Sequence, residues 1–451
     1  MFTAHATDVI LHAFDWPYAL VEQRACEIQQ AGYKYVLVSP PMKSLKKQQG
    51  TKWWQRYQPQ DYRVIDNQLG NLLEFKSMLD ALEKNGVAVY ADVVFNHMAN
   101  ESSLRSDLQY PSATDLADYQ TNNEYYQNQR LFGDLSEPLF DHDDFVEAFG
   151  IEDWQDRWQV QNGRITSGPS DPGLPTLRVC ANVIKQQQSY LEALKQLGVK
   201  GFRIDAAKHM TLEHLKLVWT DEVCRDVHIF GEIITSGGAT KPEYELFLQP
   251  YLAQTTLGAY DFPLFQTVYD ALQPKGSLKS LVDPYCFGQA LSEARAITFA
   301  ITHDIPNNDV FANLVMTEEQ EWLAYCYLLG RDGGVPLIYT DLDTSGIQGT
   351  NGQPRWLNAW NDEKMLAAIA FHNRMHGKPM AMIEAGDDLL VFGRGKHGVV
   401  IINKSVRAKT VELNSDQAWV DVLSKQQFQV IKGQCRVDVA AQSARMLILE
   451  Q

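Results

Sequence analysis

Three acidic residues follow short apolar runs: Asp205 closes Gly201-Phe-Arg-Ile-Asp, Glu232 follows Ile229-Phe-Gly, and Asp304 follows Ile301-Thr-His. Carboxyl groups gathered in one place resist simultaneous ionisation, so one keeps its proton while a neighbouring cation holds another charged. Arg203, two residues before Asp205, is such a cation. An acid and a nucleophile made from one functional group are what cleavage of a glycosidic bond requires: one protonates the leaving oxygen, the other traps or stabilises an oxocarbenium-like carbon. A third acid is free to bind sugar hydroxyls. A single Asp after a strand is more often a helix cap, and Asp92, Asp332 and Asp341 are read that way, as structural residues. The joint placement of the other three outweighs that reading.

His97 and His303 lie in the same strand-end positions, and Lys208-His209 follows Asp205 directly. Trp53, Trp54, Tyr57 and Gln58 form an aromatic and amide cluster in one loop, where sugar rings could stack. Either tryptophan alone would as readily be core, whereas Tyr57 suits the wall of a cleft.

These residues need a scaffold that brings distant strand ends together. Eight apolar runs precede residue 342: Val9–Phe14, Tyr35–Val38, Val87–Val94, Gly201–Ile204, Ile229–Ile233, Gly258–Phe262, Ile297–Ile301 and Val335–Tyr339. Helical patterns separate most of them. Phe75, Met78, Leu79 and Leu82 stand at i, i+3, i+4 and i+7 before Asn85-Gly86; Ile184, Leu191 and Leu194 precede Gly198. The alternation predicts an α/β fold, a closed (β/α)₈ barrel whose chemistry lies at the carboxyl ends of its strands. An open doubly wound sheet is the weaker alternative, because no glycine-rich phosphate turn follows the first run. The barrel is assigned to 1–97 and 181–377, an irregular inserted subdomain to 98–180, and a C-terminal antiparallel β-sandwich to 378–451, on the short alternating runs Leu389–Phe392, Val399–Ile402, Lys409–Leu413, Trp419–Val422, Phe428–Ile431, Arg436–Val439 and Met446–Leu449.

The chain has 451 residues, with 45% hydrophobic and 21% charged, as expected of a folded protein. A formal charge of −16 without a basic patch argues against nucleic acid. No apolar run approaches the ~20 residues of a membrane span. The opening Met-Phe-Thr-Ala-His shows no leader pattern; secretion with a leader already removed is favoured over a cytoplasmic location. The six cysteines lack metal spacing and are expected to be buried thiols. No organic cofactor is indicated, and no interface signature appears, so a monomer is expected.

At these residues the chain resembles the α-amylase family of retaining α-glucan-active barrels. Asp92-Val-Val-Phe-Asn-His97, Gly201-Phe-Arg-Ile-Asp-Ala-Ala-Lys-His209, Gly231-Glu232-Ile-Ile and His303-Asp304 are similar to its motifs on strands three, four, five and seven. The resemblance implies Asp205 as nucleophile, Glu232 as acid/base and Asp304 as the acid holding the distorted sugar. His97, Arg203 and His303 would line the same subsite, Trp53 to Gln58 would supply stacking, and Lys208 and His209 would meet the glucose on the leaving side. The family's calcium site is matched by Asn96 and His209, but its acidic segment reads Leu174-Pro-Thr-Leu177 here, which weakens the site unless Asp171 substitutes. Leu337 and Thr302 stand where chloride-activated members carry a basic residue and Asn, so chloride dependence is not expected. Ile-Pro-Asn-Asn-Asp309, after Asp304, departs from the usual continuation and alters the outer subsites. The expected activity is retaining endo-hydrolysis of α-1,4-glucans such as starch and glycogen. A glucanotransferase is the nearest alternative; a non-catalytic carbohydrate-binding protein is disfavoured because all three acids are present.

Overall fold

The computed structural model describes residues 8–46, 52–166 and 168–450; the opening pentapeptide lies outside them. Eight parallel strands close into a barrel: β1 (Ile10–Ala13), β2 (Tyr35–Val38), β3 (Ala88–Val93), β4 (Gly201–Ile204), β5 (His228–Gly231), β6 (Gly258–Tyr260), β7 (Ala296–Phe299) and β8 (Val335–Thr340). Each overlaps one of the eight predicted runs. Neighbours pair in chain order, and closure comes from Ile10, which pairs with Tyr35 on one side and Leu337 on the other. Parallel strands buried on both faces are continuous apolar runs, and β1, β2 and β4 are buried throughout.

Crossover helices supply the outer layer. Leu72–Lys84 begins at a capping box in which the Asn71 side chain accepts from the Glu74 amide at 3.1 Å and Glu74 accepts from the Asn71 amide at 2.9 Å. Its Leu72, Phe75, Met78, Leu79 and Leu82 face the barrel. Ala181–Leu197 ends at Gly198, whose φ of 109° is left-handed and is readily adopted only without a Cβ.

Strand register sets which side chains share the barrel interior. Tyr90 pairs with Gly201, and Asp92 with Arg203, across β3 and β4. Gly201 is required by proximity: a Cβ there would lie 2.2 Å from the Tyr90 ring. The two-residue period then places Arg203 and Asp205 on the same inward side as Gly201.

Between β3 and β4 the chain forms short helices (Ala113–Thr121, Asn123–Gln129 and Arg157–Asn162) linked by irregular backbone and isolated bridges such as His97 to Thr176. Beyond the barrel lie β9 (Met380–Ala385), β10 (Leu389–Arg394), β11 (Gly398–Asn403), β12 (Lys409–Asn414), β13 (Trp419–Asp421), β14 (Gln427–Phe428), β15 (Val430–Ile431), β16 (Gln434–Val439) and β17 (Ser443–Leu449). They form a six-stranded sheet, β9-β10-β11-β17-β13-β14, and a three-stranded one, β12-β16-β15. Val391, Ile401, Val411, Val437 and Leu447 build the core between them.

Three sequence expectations change. β9 was not expected: it is a largely exposed edge strand without an apolar face strong enough to mark it. Phe428–Ile431, read as one strand, divides because β14 pairs with β13 and β15 with β16, in different sheets. Of the six thiols only Cys326 and Cys435 are buried, whereas Cys26 and Cys286 are exposed; all six are free. Among the described residues no helix is long and apolar enough to cross a membrane.

Arg394, at the end of β10, joins the barrel to the terminal sheets. Its buried guanidinium donates to the carbonyls of Gly330, Arg331, Met375 and Lys378 at 2.6–3.0 Å. Arg394→Met keeps much of the volume and leaves these carbonyls unpaired. Removal of one partner from a buried charged network costs about 3 kcal/mol, so the thermal midpoint, followed by calorimetry, is expected to fall by several degrees.

Candidate active site

Arg203 is fully buried beneath the carboxyl ends of the strands. One of its terminal nitrogens donates to Asp92 at 2.8 and 2.9 Å and to Asp205 Oδ1 at 2.9 Å, and the other donates to Glu232 Oε1. Asp205 stands just past β4, with its amide bonded to the Val93 carbonyl at 2.9 Å. Ala206 follows in the left-handed region, φ 47°, and its amide donates to Glu232 Oε2 at 3.0 Å. Both oxygens of Glu232, which follows β5, are therefore held. Glu232 also shares a side-chain hydrogen bond with Asp304.

Burial raises the pKa of all four carboxyls, to about 8 for Asp92 and about 7 for Asp205 and Glu232, while Arg203 pulls each of them down. A single guanidinium cannot hold four adjacent carboxyls fully ionised, so the cluster retains protons. The Glu232–Asp304 bond raises the Glu232 pKa and lowers that of Asp304. The Asp304 charge therefore favours the protonated form of Glu232. Asp205 lies in direct contact with Arg203, which favours its ionised form.

Aromatic rings surround this cluster. The Tyr57 hydroxyl donates to Asp92 Oδ2 at 2.9 Å. His303 is sandwiched between Tyr57, centroids 5.2 Å apart at 15°, and Phe14, 4.6 Å at 13°. His97 Nε2 bonds the Tyr57 carbonyl at 3.0 Å. Trp53 packs edge-on against Tyr57 and His303. The turn carrying these residues, Trp53–Tyr57, is tied to the end of β1 by Arg56, which grips Asp15 through two bonds of 2.7 and 2.9 Å. Burial lowers the pKa of His97 to about 4 and those of His209 and His303 to about 3, so all three imidazoles are neutral near pH 7.

Above the cluster opens a cleft of about 1670 Å³. Trp53, Trp54, Tyr57, Gln58, His97, Asp205, Lys208, His209, Glu232, His303 and Asp304 line it. Arg203 lies below its floor. Lys208 Nζ donates to the Ile234 carbonyl at 3.1 Å, and His209 Nδ1 bonds the Val160 carbonyl at 3.0 Å, which joins the strand-four loop to the inserted segment. Sequence reasoning missed Trp154, a half-exposed wall residue set edge-on to His209. Its signal was a tryptophan in an otherwise polar insert. Asn307, Asn308 and Asp309, in the unusual segment after Asp304, also line the cleft. Asp92 keeps a supporting role beneath Arg203 and Tyr57. Asp332 accepts from the Met380 amide and Asp341 from the Tyr339 hydroxyl, both at 2.8 Å, as structural residues do.

The residues expected around calcium offer few charged oxygens. The Thr176 hydroxyl donates to the Gly163 carbonyl at 2.9 Å, and Asp171 accepts from Asn100 and from the Gly173 amide. Neither Asn96 nor His209 itself brings a charged oxygen, a poor match for a hard divalent cation. A different group, Asp8, His372 and His376, is arranged so that it could hold a metal ion.

A barrel with paired carboxyls over a buried arginine, opening into an aromatic-walled cleft, defines a glycoside hydrolase of the α-glucan-active type. The α-amylase catalytic-domain model matches residues 23–249. An α-amylase of Aeromonas hydrophila is 47% identical over 433 residues, covering 94% of this chain and 91% of that protein. The chain belongs to the α-amylase family, and it is an enzyme acting on α-1,4-glucans by hydrolysis or glucosyl transfer. Among solved structures, α-amylase I of Eisenia fetida superposes with a TM-score of 0.78 at 20% identity, over 100% of this chain and 99% of that one. A γ-CGTase of the alkalophilic Bacillus clarkii gives 0.72 at 17% identity, over 99% of this chain and 71% of its own. These last two likenesses are of fold.

Asp92 touches no part of the open cleft, yet it holds both Arg203 and Tyr57. Asp92→Asn is expected to lower kcat about tenfold or more while KM changes by less than about threefold, measured by initial rates on soluble starch.

Proposed function

We propose that this enzyme hydrolyses internal α-1,4-glucosidic bonds of starch, glycogen and malto-oligosaccharides with retention, through a glycosyl-enzyme on Asp205. The observation that carries this reading is the gathering of Asp205, Glu232 and Asp304 at one cleft, with Asp205 and Glu232 both held by the buried Arg203. Glu232 gives its proton to the glycosidic oxygen as the Asp205 carboxylate closes on the anomeric carbon, forming a carbon–oxygen bond as the bond to the leaving chain breaks. Glu232, now ionised, then takes a proton from water, whose oxygen displaces Asp205 from the same carbon. Asp304 accepts hydrogen bonds from the hydroxyls of the distorted sugar. Tyr57 and Trp53 offer ring faces, and neutral His303 can donate one hydrogen bond without adding charge, whereas the single N–H of neutral His97 is held by the Tyr57 carbonyl.

The same intermediate would serve a glucanotransferase; the similarity to an α-amylase favours water as acceptor. The calcium implied by the family resemblance would find only the uncharged donors of Asn96 and His209 here, and no step is assigned to it. The chain is expected to act as a monomer.

Asp205→Asn and Glu232→Gln are each expected to lower kcat/KM on starch by about 10³-fold or more, roughly 4 kcal/mol of transition-state stabilisation, with the circular dichroism spectrum unchanged. Near-normal rates in either variant refute the assignment. Timed product analysis on maltotriose separates the acceptors, since hydrolysis yields only shorter chains and transfer also yields longer ones.

Glu232 must be protonated to act first as an acid, so activity is lost as pH rises through its pKa. The Asp304 charge raises that pKa. Asp304→Asn should therefore move the alkaline limb of the residual kcat/KM profile to lower pH, by roughly one unit. A limb that stays in place or moves upward contradicts the proton placement.

A further inference from the structure

We propose that Asp8, His372 and His376 form a structural site for a borderline divalent cation of the Zn2+ class, clasping the start of the barrel to its last helix. Asp8 lies just before β1, at the amino-terminal rim, away from the strand ends that carry the catalytic acids. His372 occupies the last turn of the helix Glu363–Met375, and His376 is the residue that ends it. One ligand atom from each lies within 4.8 Å of the other two. His372 Nε2 is 2.7 Å from Asp8 Oδ1, and His376 Nδ1 is 3.4 Å from Asp8 Oδ2. A tetrahedral Zn2+ with bonds near 2.0–2.1 Å separates its ligand atoms by about 3.3 Å, so small side-chain rotations would admit the ion.

The surroundings of His372 fit a ligand. Its Nδ1 lies 3.1 Å from the Leu329 carbonyl, a contact that only an N–H can make favourably. The imidazole is thereby oriented with Nε2 towards the carboxylate, as a backbone carbonyl orients a metal-bound histidine. His372 is buried, while the His376 side chain and Asp8 are partly exposed, which leaves a path for the ion and room for a water as fourth ligand.

The donor set indicates the class of metal. Two imidazoles and one carboxylate suit Zn2+ or Co2+; calcium seeks six to eight oxygens, and the only side-chain oxygens of this group are the two of Asp8. The consequence would be stability rather than catalysis. Asp8 and His372 are 364 residues apart in sequence, so the unfolded chain does not present the set and an ion bound only to the native state stabilises it by mass action.

The test uses the full chain, stripped with a chelator and titrated with Zn2+ by calorimetry, alongside His376→Ala and Asp8→Asn. His376 is partly exposed at a helix end, so its variant should fold. The expected results are one Zn2+ per chain whose affinity falls at least tenfold in each variant, and a rise of a few degrees in thermal midpoint on adding Zn2+ to the parent. The rate of starch cleavage should be the same with and without the ion. Absence of Zn2+ uptake leaves an Asp–His ion pair only and overturns the proposal. So does uptake that both variants retain, which would place the ion on exposed Cys26 or Cys286, or a midpoint that rises as much with Ca2+ as with Zn2+.

Discussion

One buried guanidinium organises this enzyme. Arg203 has no contact with solvent and satisfies carboxylates from three successive barrel strands or their ends: Asp92 on β3, Asp205 after β4 and Glu232 after β5. Burying a charge is costly unless it is paired, and this one is paired several times over. The arrangement fixes the spacing of the reactive groups and also their charge. With more carboxyls than cation in one buried cluster, full ionisation is disfavoured, and the Asp304 charge raises the proton affinity of Glu232.

The rest of the structure keeps that cluster in place and exposes only part of it. Arg56 and Asp15 pin the aromatic turn to β1, and the stack of Phe14, His303 and Tyr57 closes the side of the pocket. Tyr57 links the two layers, since its ring faces His303 while its hydroxyl reaches Asp92 underneath. The inserted segment contributes the other wall through Trp154 and, by way of the Val160 carbonyl, fixes the ring of His209.

Much of this could be read from the chain, because parallel barrel strands buried on both faces are continuous apolar runs and their end residues are where chemistry is found. Asp205, Glu232 and Asp304 were legible for that reason. The importance of Asp92 was not: its partnership with Arg203 depends on strand register, which is absent from a one-dimensional pattern. β9 escaped notice because an exposed edge strand has no strong apolar period. Trp154 depended on the path of an irregular insert, and the group of Asp8, His372 and His376 on closure of the barrel between distant ends of the catalytic region.

The terminal sheets are fastened to the barrel by more than Arg394. Lys404 donates to the carbonyls of Ala271, Gln273 and Gly276 at 2.6–2.9 Å, where the helix Phe262–Leu272 and the turn after it end. Phe392 and Val400 press so close to Gly330 that a methyl group there would lie 2.9–3.2 Å from their side chains. Cutting the chain after the last barrel helix would strand carbonyls that need a cation and bare an apolar helix flank. The C-terminal portion is thus a fixed wall of the catalytic body rather than an appendage on a tether, and evolution could not exchange it freely for another module.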